Sequence, residues 1–153
     1  MLISTKGRYA LHIMVELAQN GAESYMSLPM IAERQEISEK YLESIISVLV
    51  KAGLVEGVRG KGGGYRLCRP PEKYSVGEII RLTEGTLAPV SCLDDRKGCC
   101  MRKSLCKSLP IWEKLDRVIN DYLDGVSLAD VVAEGEVPTP CAERENQQNL
   151  LTS

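Results

Sequence analysis

The chain has 153 residues, 44% of them hydrophobic and 26% charged, which is enough for one domain with a modest core and an accessory element. The formal charge of −2 is unevenly spread: residues 1–73 carry ten lysines and arginines against eight acidic residues, whereas residues 74–153 carry nine against thirteen. Lys6, Arg8 and Glu16 interrupt the N-terminal apolar residues, which argues against a signal peptide or a membrane span and predicts a cytoplasmic protein without a membrane partner.

The first two predicted helices follow from capping residues and apolar spacing. The first begins after Ser4 or Thr5, either of which can accept a hydrogen bond from the first turn, and ends near residues 20–21. The second is short, follows Ser27 and ends at about Gln35. Its inward-facing residues are predicted to be Met30, Ile31 and Ala32.

A third helix is predicted over residues 39–52, with Ser38 as its N-cap. Its apolar residues recur at three- and four-residue spacing and form one face: Leu42, Ile45, Ile46, Leu49 and Val50. Two helices joined by a tight turn form a helix-turn-helix. Residues 54–58 and 64–68 then predict two short strands around a basic, glycine-rich turn, so the first half indicates a winged helix-turn-helix.

The predicted third helix and hairpin carry residue types that suit DNA. The first turns of a recognition helix enter the major groove, where Ser and Lys meet phosphate or purine acceptors and Glu accepts from cytosine amines. Hairpin glycines let the backbone approach the duplex, while basic side chains reach the minor groove. The candidate residues are Ser38, Glu39, Lys40, Tyr41 and Glu43 on the helix and Arg59, Lys61, Gly62, Gly63 and Tyr65 in the hairpin.

Two simpler interpretations of these motifs exist. A helix-turn-helix can be only a helical packing module, and a basic glycine-rich hairpin can be only a solvated turn. The two motifs follow each other directly in this chain, and that order favours a double-stranded DNA operator as the partner.

Behind the winged domain of residues 1–73, residues 74–134 predict an accessory region. Ser75 caps a helix that runs to Thr83, with Glu78 completing a capping box. A longer helix starts at Ser108 and carries an apolar stripe of Ile111, Leu115, Val118, Ile119 and Tyr122. The stripe needs a cover, either the same helix of a second subunit or the chain's own first helix, and the second subunit is favoured.

The C-terminal part contains one more helix and a tail. Ser127 caps a last short helix that ends at about Ala133. Residues 135–153 are polar and contain prolines, which predicts a flexible tail on which Cys141 is a bystander. The predicted fold is mostly α, a winged helix-turn-helix with a long C-terminal dimerisation helix.

Between the two accessory helices, four of the six cysteines fall within fifteen residues: Cys92, Cys99, Cys100 and Cys106. In a reducing compartment such clusters more often bind metal or take part in redox chemistry than form disulfides. The spacing differs from the C-x2-C pairs of zinc ribbons and from a bacterial ferredoxin. The loop predicts a metal or iron–sulfur site, and the alternative is a set of free thiols, with oxidation sensing included.

Four segments of the chain resemble the Rrf family of bacterial winged-helix regulators, and the resemblance covers nearly the whole chain. They are STKGRYA at 4–10, ISEKYLE at 37–43, VRGKGGGY at 58–65 and VGEII at 76–80.

The resemblance implies a homodimer with a recognition helix over residues 38–51, a wing over 59–65 and a dimer helix over about 108–123. It also implies sequence readout by Glu43 and Arg59. In the iron–sulfur branch of the family three loop cysteines hold a cluster, and this implies Cys92, Cys106 and one of Cys99 or Cys100 as ligands here.

Two departures from the family pattern concern the fourth ligand. The histidine of the IscR branch is replaced by Leu109, and the acidic residue that the NsrR branch supplies from the partner's first helix is replaced by Arg8. His12 lies one helical turn past Arg8 and is the candidate fourth ligand, from the other subunit; the alternatives are ligation by both Cys99 and Cys100, or a core position for His12. Among cluster types 2Fe–2S is favoured over 4Fe–4S.

Three functions remain open on the sequence. The first is a homodimeric repressor or dual regulator that senses iron–sulfur or redox status through its cluster. The second, suggested by the N-terminal half, is a CymR-like repressor of cysteine and sulfur metabolism without a cluster, controlled by thiol oxidation or by a cysteine-biosynthesis enzyme as partner. The third is an electron-transfer or thiol-redox enzyme, which no catalytic set or nucleotide loop supports, so the chain is predicted not to be an enzyme.

Overall fold

A computed structural model describes residues 2–98 and 100–135, so Cys99 and the predicted tail past Gly135, with Cys141, lie outside the described residues. Short single turns at Pro71–Lys73, Ser91–Leu93, Asp95–Lys97 and Lys103–Leu105 connect the longer elements. In chain order the elements are α1 (Thr5–Asn20), α2 (Leu28–Arg34), α3 (Glu39–Lys51), β1 (Val55–Val58), β2 (Gly64–Leu67), α4 (Val76–Glu84), α5 (Leu109–Gly125) and α6 (Leu128–Glu134).

The three N-terminal helices each begin directly after the predicted serine, and the serines before α1 and α3 cap their helix with the side chain, whereas Ser27 before α2 does not. The Ser4 hydroxyl accepts from the Gly7 N–H at the start of α1, and the Ser38 hydroxyl accepts from the Tyr41 N–H at the start of α3. The turn between α2 and α3 places Glu36 at a φ of 53°, a left-handed conformation uncommon outside glycine. These features confirm the predicted helix-turn-helix.

One apolar core holds α1, α2 and α3 together. Two of the predicted inward residues are not part of it: Met30 and Val50 are 44% and 39% exposed. Both lie at the edge of their helix's apolar face, where the core's contacts end. The largest fully buried side chains of this core are Ile13, Met14, Leu17, Met26, Ile31, Leu42, Ile45, Ile46, Leu49, Tyr74 and Ile79.

The hairpin is antiparallel and is held to the helices by an extra backbone pairing. Val55 pairs with Leu67 and Val58 with Gly64. Met26, in the loop before α2, exchanges two backbone hydrogen bonds of 2.9 Å with Tyr65. Gly64, at a φ of 147°, lies so close to the Met26 backbone that a Cβ would not fit. The wing therefore has a defined orientation relative to α2 and α3.

Tyr74 joins the base of the wing to the accessory region. Its buried hydroxyl donates to the Leu54 carbonyl at 2.6 Å and accepts from the N–H groups of Cys68 at 3.0 Å and Arg69 at 2.9 Å. Its carbonyl accepts from the Leu128 N–H at 2.9 Å. The Tyr74 side chain thus joins the two ends of the hairpin, and its backbone connects them to the start of α6.

Replacing Tyr74 by Phe is expected to lower the free energy of unfolding by about 1–3 kcal/mol, because the phenol loses its hydrogen bonds to the Leu54 carbonyl and to the N–H groups of Cys68 and Arg69. Urea denaturation followed by circular dichroism measures the change. Tyr25→Phe is the control, since the Tyr25 ring contacts the Arg66 guanidinium 4.7 Å away and that contact does not use the hydroxyl. Equal stability of Tyr74→Phe and wild type would contradict this role.

Only one of the two hydrogen bonds of the predicted capping box at Ser75 forms. The Ser75 hydroxyl accepts from the Glu78 N–H at 3.0 Å, but the Glu78 carboxylate bonds to the Arg69 guanidinium at 2.8 Å. Arg69 also stacks on the Tyr74 ring, so a long-range ion pair replaces the local return bond. A complete capping box occurs instead at α6, between Ser127 and Asp130.

The apolar residues of α5 divide between two faces. Ile119 and Leu123 pack against Val76, Ile80 and Leu87 in a second small core. The remaining stripe residues are Ile111, Leu115, Val118 and Tyr122, and they are 63%, 40%, 55% and 69% exposed. The apolar residues of α5 therefore form two stripes instead of the predicted single one. One stripe packs on the chain's own α4, and the other faces outward. No helix among the described residues is long and apolar enough to cross a membrane.

Candidate DNA interface and cysteine loop

The exposed face at the start of α3 carries four of the ten predicted DNA-binding residues. Ser38, Glu39, Lys40 and Glu43 are all exposed on its first turns. Tyr41 is half-buried, and its ring meets the Tyr9 ring edge-on at 6.0 Å between centroids. Tyr41 therefore holds α3 against α1 more than it faces outward.

Two serines farther along α3 were not among the predicted residues. Ser44 and Ser47 are exposed, and each hydroxyl donates to a carbonyl in its own helix, of Tyr41 at 2.6 Å and of Glu43 at 2.5 Å. They follow Lys40 and Glu43 at helical spacing, so the three- and four-residue periodicity could have identified them. Small side chains here let the helix backbone approach a groove closely.

The tip of the wing presents two free cations. Arg59 and Lys61 are exposed, and within the described part of the chain neither forms an ion pair. Gly62 at a φ of 77° adopts a conformation that favours glycine. A Cβ on Gly63 would overlap the Val58 carbonyl. The tip is thus a tight turn that only this glycine-rich sequence can form, with both cations pointing to solvent.

Tyr65 has a structural position in the wing. Its backbone pairs with Met26, and its ring lies over Gly57, where a Cβ would come within 2.9 Å of the ring. Its side chain is half-buried. The glycine at 57 makes room for the ring, which keeps the hairpin flat against the loop before α2.

The described cysteines of the loop carry free thiols. Cys92, Cys100 and Cys106 are each partly exposed, and none of them forms a disulfide. Cys92 lies in the turn Ser91–Leu93, and Cys106 lies two residues before Ser108, the N-cap of α5. The loop thus connects α4 to α5 and presents its thiols to solvent.

The environment of Cys106 favours its thiolate. A hydrogen bond with the Ser108 hydroxyl, at 3.4 Å, lowers the pKa of the Cys106 thiol, and the N–H groups of Ser108 and Leu109 and the charge of Arg102 act in the same direction. Desolvation instead raises the pKa of the exposed Cys68 thiol in the wing domain, and Glu56 adds to the effect. Because a cysteine binds metal as its thiolate, Cys106 is better suited than Cys68 to be a metal ligand.

The loop cysteines are suitable ligands for an iron–sulfur cluster, although the described residues of one subunit do not bring three ligands together. Thiolates are the usual ligands of such clusters, and three are available on one loop even with Cys99 left aside. Over residues 2–98 and 100–135, however, no three His, Cys, Asp or Glu side chains lie close enough together to hold a metal ion. A bound cluster would require the loop to close around it.

His12 and Arg8 lie on the outer face of α1. Both are exposed, and the His12 ring meets the Tyr9 ring edge-on at 5.8 Å. The core position considered for His12 is therefore wrong, because the buried positions of this helix are instead Gly7, Ala10, Ile13, Met14 and Leu17. Leu109 begins α5 beside Cys106 and has no donor atom.

Comparisons with known proteins agree with this architecture. IscR of Aliivibrio salmonicida, an HTH-type transcriptional regulator, is 38% identical over 153 residues, which are all of this chain and 89% of that protein. CymR of Bacillus subtilis, also an HTH-type transcriptional regulator, is 39% identical over 133 residues, 87% of this chain and 91% of that protein.

Two solved structures of proteins with the same names, CymR and IscR, are also similar to this chain. The structure of CymR, the global cysteine regulator of B. subtilis, matches with a TM-score of 0.73 and 38% identity over 87% of this chain and 97% of that chain. The structure of T. potens IscR matches with a TM-score of 0.69 and 38% identity over 94% and 96%.

The family model for Rrf2, described as an iron-dependent transcriptional regulator, matches residues 3–134, which include the winged domain, the cysteine loop and α5. The relatives are named as transcriptional regulators and not as enzymes. This chain is therefore a member of the Rrf2 family, a winged-helix transcriptional regulator.

Proposed function

We propose that the protein is a homodimeric, cytoplasmic regulator, a repressor or dual regulator, whose affinity for its operator depends on an iron–sulfur cluster held by the cysteine loop. Transcription regulators of this family bind DNA and act as dimers. The observation that supports the cluster is the loop itself, which lies between α4 and the outward-facing helix α5 and has free thiols at Cys92, Cys100 and Cys106.

Two different contacts with DNA are proposed. Lys40, Glu43, Ser44 and Ser47 form an exposed polar row on α3 that suits base edges in the major groove. Arg59 and Lys61 at the wing tip suit the negative potential of the minor groove and the adjacent phosphates. The whole-chain charge of −2 does not oppose this, because phosphate neutralisation depends on the local patch.

Arg59→Ala is expected to weaken binding by about 1–3 kcal/mol and to relax the preference for a narrow, A·T-rich minor groove, since the negative potential there favours an inserted guanidinium. Lys61→Ala is expected to weaken binding to all sequences alike and to reduce the slope of log affinity against log salt by about one unit, as one released counterion requires. Anisotropy titrations measure both, with a duplex that the wild type selects from a random-sequence library.

Arg117→Ala is the matched control for the wing variants. It removes one exposed cation on α5 that is at neither three- nor four-residue spacing from the outward stripe, and it should leave both affinity and salt slope unchanged. If Arg59→Ala and Lys61→Ala bind as the wild type does, the wing is a passive hairpin and does not contact DNA.

The cluster site is proposed to use Cys92, Cys106 and one of Cys99 or Cys100, with a 2Fe–2S cluster favoured. When bound, the cluster would be the group that responds to oxidation or to loss of iron. Cys106 contributes a stabilised thiolate through its Ser108 contact. Arg8 has no lone pair to offer and Leu109 no donor, so the fourth ligand is proposed to be His12 of the partner subunit, which is exposed on α1.

Replacing His12 by Ala tests that ligand. Loss or a shift of the visible absorption is expected, because a missing imidazole changes the coordination of one iron. The exposed position of His12 predicts an unchanged melting temperature for the cluster-free variant. An unchanged absorption spectrum would contradict the assignment and favour ligation by both Cys99 and Cys100.

A second function is favoured by one observation, the similarity to B. subtilis CymR in both sequence and structure. In that case the protein is a cluster-free repressor of cysteine and sulfur metabolism, controlled by thiol oxidation or by a cysteine-biosynthesis enzyme. A colourless, iron-free protein from anaerobic purification that nevertheless binds DNA would support this alternative.

A further inference from the structure

The start of the cysteine loop is attached to the C-terminal end of α4. Asp94, two residues after Cys92, is only 4% exposed. Its carboxylate accepts from the Arg96 N–H at 3.1 Å and from the guanidinium through Nε and Nη2, both at 3.0 Å. A carboxylate that binds both the backbone and the fork of one arginine fixes the direction of that side chain.

Arg96 in turn lies over the last residues of α4. Its Nη1 donates to the Glu84 carbonyl at 3.4 Å. Gly85, at a φ of 78°, leaves the space that the guanidinium fills, because a Cβ there would overlap Arg96. The loop is thus fixed to the end of α4 at the point where the chain leaves the helix.

The Glu84 side chain continues this connection to the first helix. Its Oε1 accepts from the Ser4 N–H at 3.1 Å and from the Ser4 hydroxyl at 2.5 Å. The same hydroxyl accepts from the Gly7 N–H at 3.1 Å. A Cβ on Gly7 would overlap the Glu84 carboxylate, so the two helices approach closely only because residue 7 is glycine.

The first helix contacts the recognition helix directly. Tyr9, two residues past Gly7, meets the Tyr41 ring on α3 and the His12 ring on α1. Movement at the N-terminus of α1 therefore reaches the residue that holds the first turns of α3 against the domain.

From these contacts we propose that Asp94, Arg96, Glu84 and Ser4 form a latch that transmits the state of the cysteine loop to the recognition helix. The four are positioning residues and touch neither DNA nor the thiols. A displacement of the loop at Cys92 moves Asp94 and Arg96, releases Glu84 from its position against Ser4, and loosens the first turn of α1. The inference rests on the proposed function, because it describes how cluster status would reach the DNA-binding face.

The latch can first be tested in the full-length, cluster-free protein. Amide exchange at Ser4 and Gly7, followed by NMR, reports the Glu84 contact directly, and Arg96→Ala should accelerate it by about fivefold or more through easier local opening. Gly7→Ala, which displaces Glu84 without altering it, should accelerate exchange at Ser4 to a similar extent. Lys97→Ala removes a neighbouring exposed cation and should have no effect. Unchanged exchange in Arg96→Ala would overturn the latch.

The second test measures coupling. The affinity for the selected duplex is measured for wild type and Arg96→Ala, each with and without the cluster. The two cluster-loaded proteins are compared at equal iron content. For the wild type, a five- to hundredfold ratio of affinities is expected between the two forms, as about 1–3 kcal/mol of coupling gives. For Arg96→Ala the affinities with and without the cluster are expected to agree within about twofold, because the variant lacks the side chain that connects the loop to α4.

The outcomes separate the two claims. Faster exchange together with the wild-type affinity ratio in Arg96→Ala would overturn transmission through the latch while leaving the proposed function intact. A ratio near unity in the wild type itself would contradict cluster-dependent binding and with it any coupling, whatever the exchange rates are.

Discussion

Val118→Asp is expected to convert the protein into monomers and to weaken operator binding by about 100-fold or more, because a monomer engages only one half-site. Val118 is 55% exposed at the centre of the outward stripe on α5. Covering Ile111, Leu115, Val118 and Tyr122 in a dimer buries apolar surface worth about 25 cal/mol per Å². A carboxylate in the middle of that surface would have to be desolvated without a partner.

Light scattering after size-exclusion chromatography measures the mass, and anisotropy titration the affinity. Arg117→Asp is the matched control, since it adds the same side chain at an exposed position of α5 that is at neither three- nor four-residue spacing from any residue of the outward stripe, and it should remain dimeric. Val118 does not belong to either described core, so the folded monomer is expected to retain its helix content. A dimeric Val118→Asp that binds DNA as the wild type does would show that another surface forms the dimer.

Cys92→Ala and Cys106→Ala are each expected to abolish visible absorption and to erase the difference between loaded and cluster-free DNA binding. Each substitution removes one thiolate of the proposed ligand set, and no preassembled group of three donors in residues 2–98 and 100–135 offers an alternative site. The lost difference corresponds to about 1–3 kcal/mol of coupling between the two sites.

Cys68→Ala is the control for these variants. Cys68 is an exposed thiol in the winged domain, and desolvation raises its pKa, so it should contribute neither iron binding nor thiolate reactivity. If the Cys92 and Cys106 variants retained full iron content, the ligand assignment would be wrong. If the wild type held zinc and stayed colourless, the loop would be a structural metal site.

The local features of the fold were predictable from the sequence because short-range chemistry determines them. Ser4, Ser38 and Ser127 cap their helices as expected, and the glycine-rich turn forms between two strands. The family resemblance, confirmed by the comparisons, predicted the overall architecture. Element ends shifted by only one or two residues, as for the helix predicted over 39–52 and observed over Glu39–Lys51.

Contacts between distant segments were not predictable in the same way. Tyr41 and Tyr65 have suitable types and positions for DNA binding, yet Tyr41 packs on Tyr9, and Tyr65 pairs with Met26. Glu78 meets the local pattern of a capping box, but Arg69 competes for its carboxylate. Only the packed structure decides such competition, because both partners are chemically acceptable.

The candidate site shows the same division. Helical spacing could have added Ser44 and Ser47 to the predicted face of α3. No sequence pattern connects Glu84 with Ser4, which lie 80 residues apart, or explains Gly7 by a carboxylate from another helix. The residues at 43, 59, 92 and 106 stay predictions, since no DNA or cluster contact has tested them.

Anaerobic purification of the full chain, followed by a visible absorption spectrum and iron analysis, tests the central claim most directly. The account predicts a coloured dimer whose absorption disappears with removal of iron, together with a five- to hundredfold change in affinity for the selected duplex. A colourless protein without iron, binding the duplex equally before and after treatment with iron and sulfide, would contradict it.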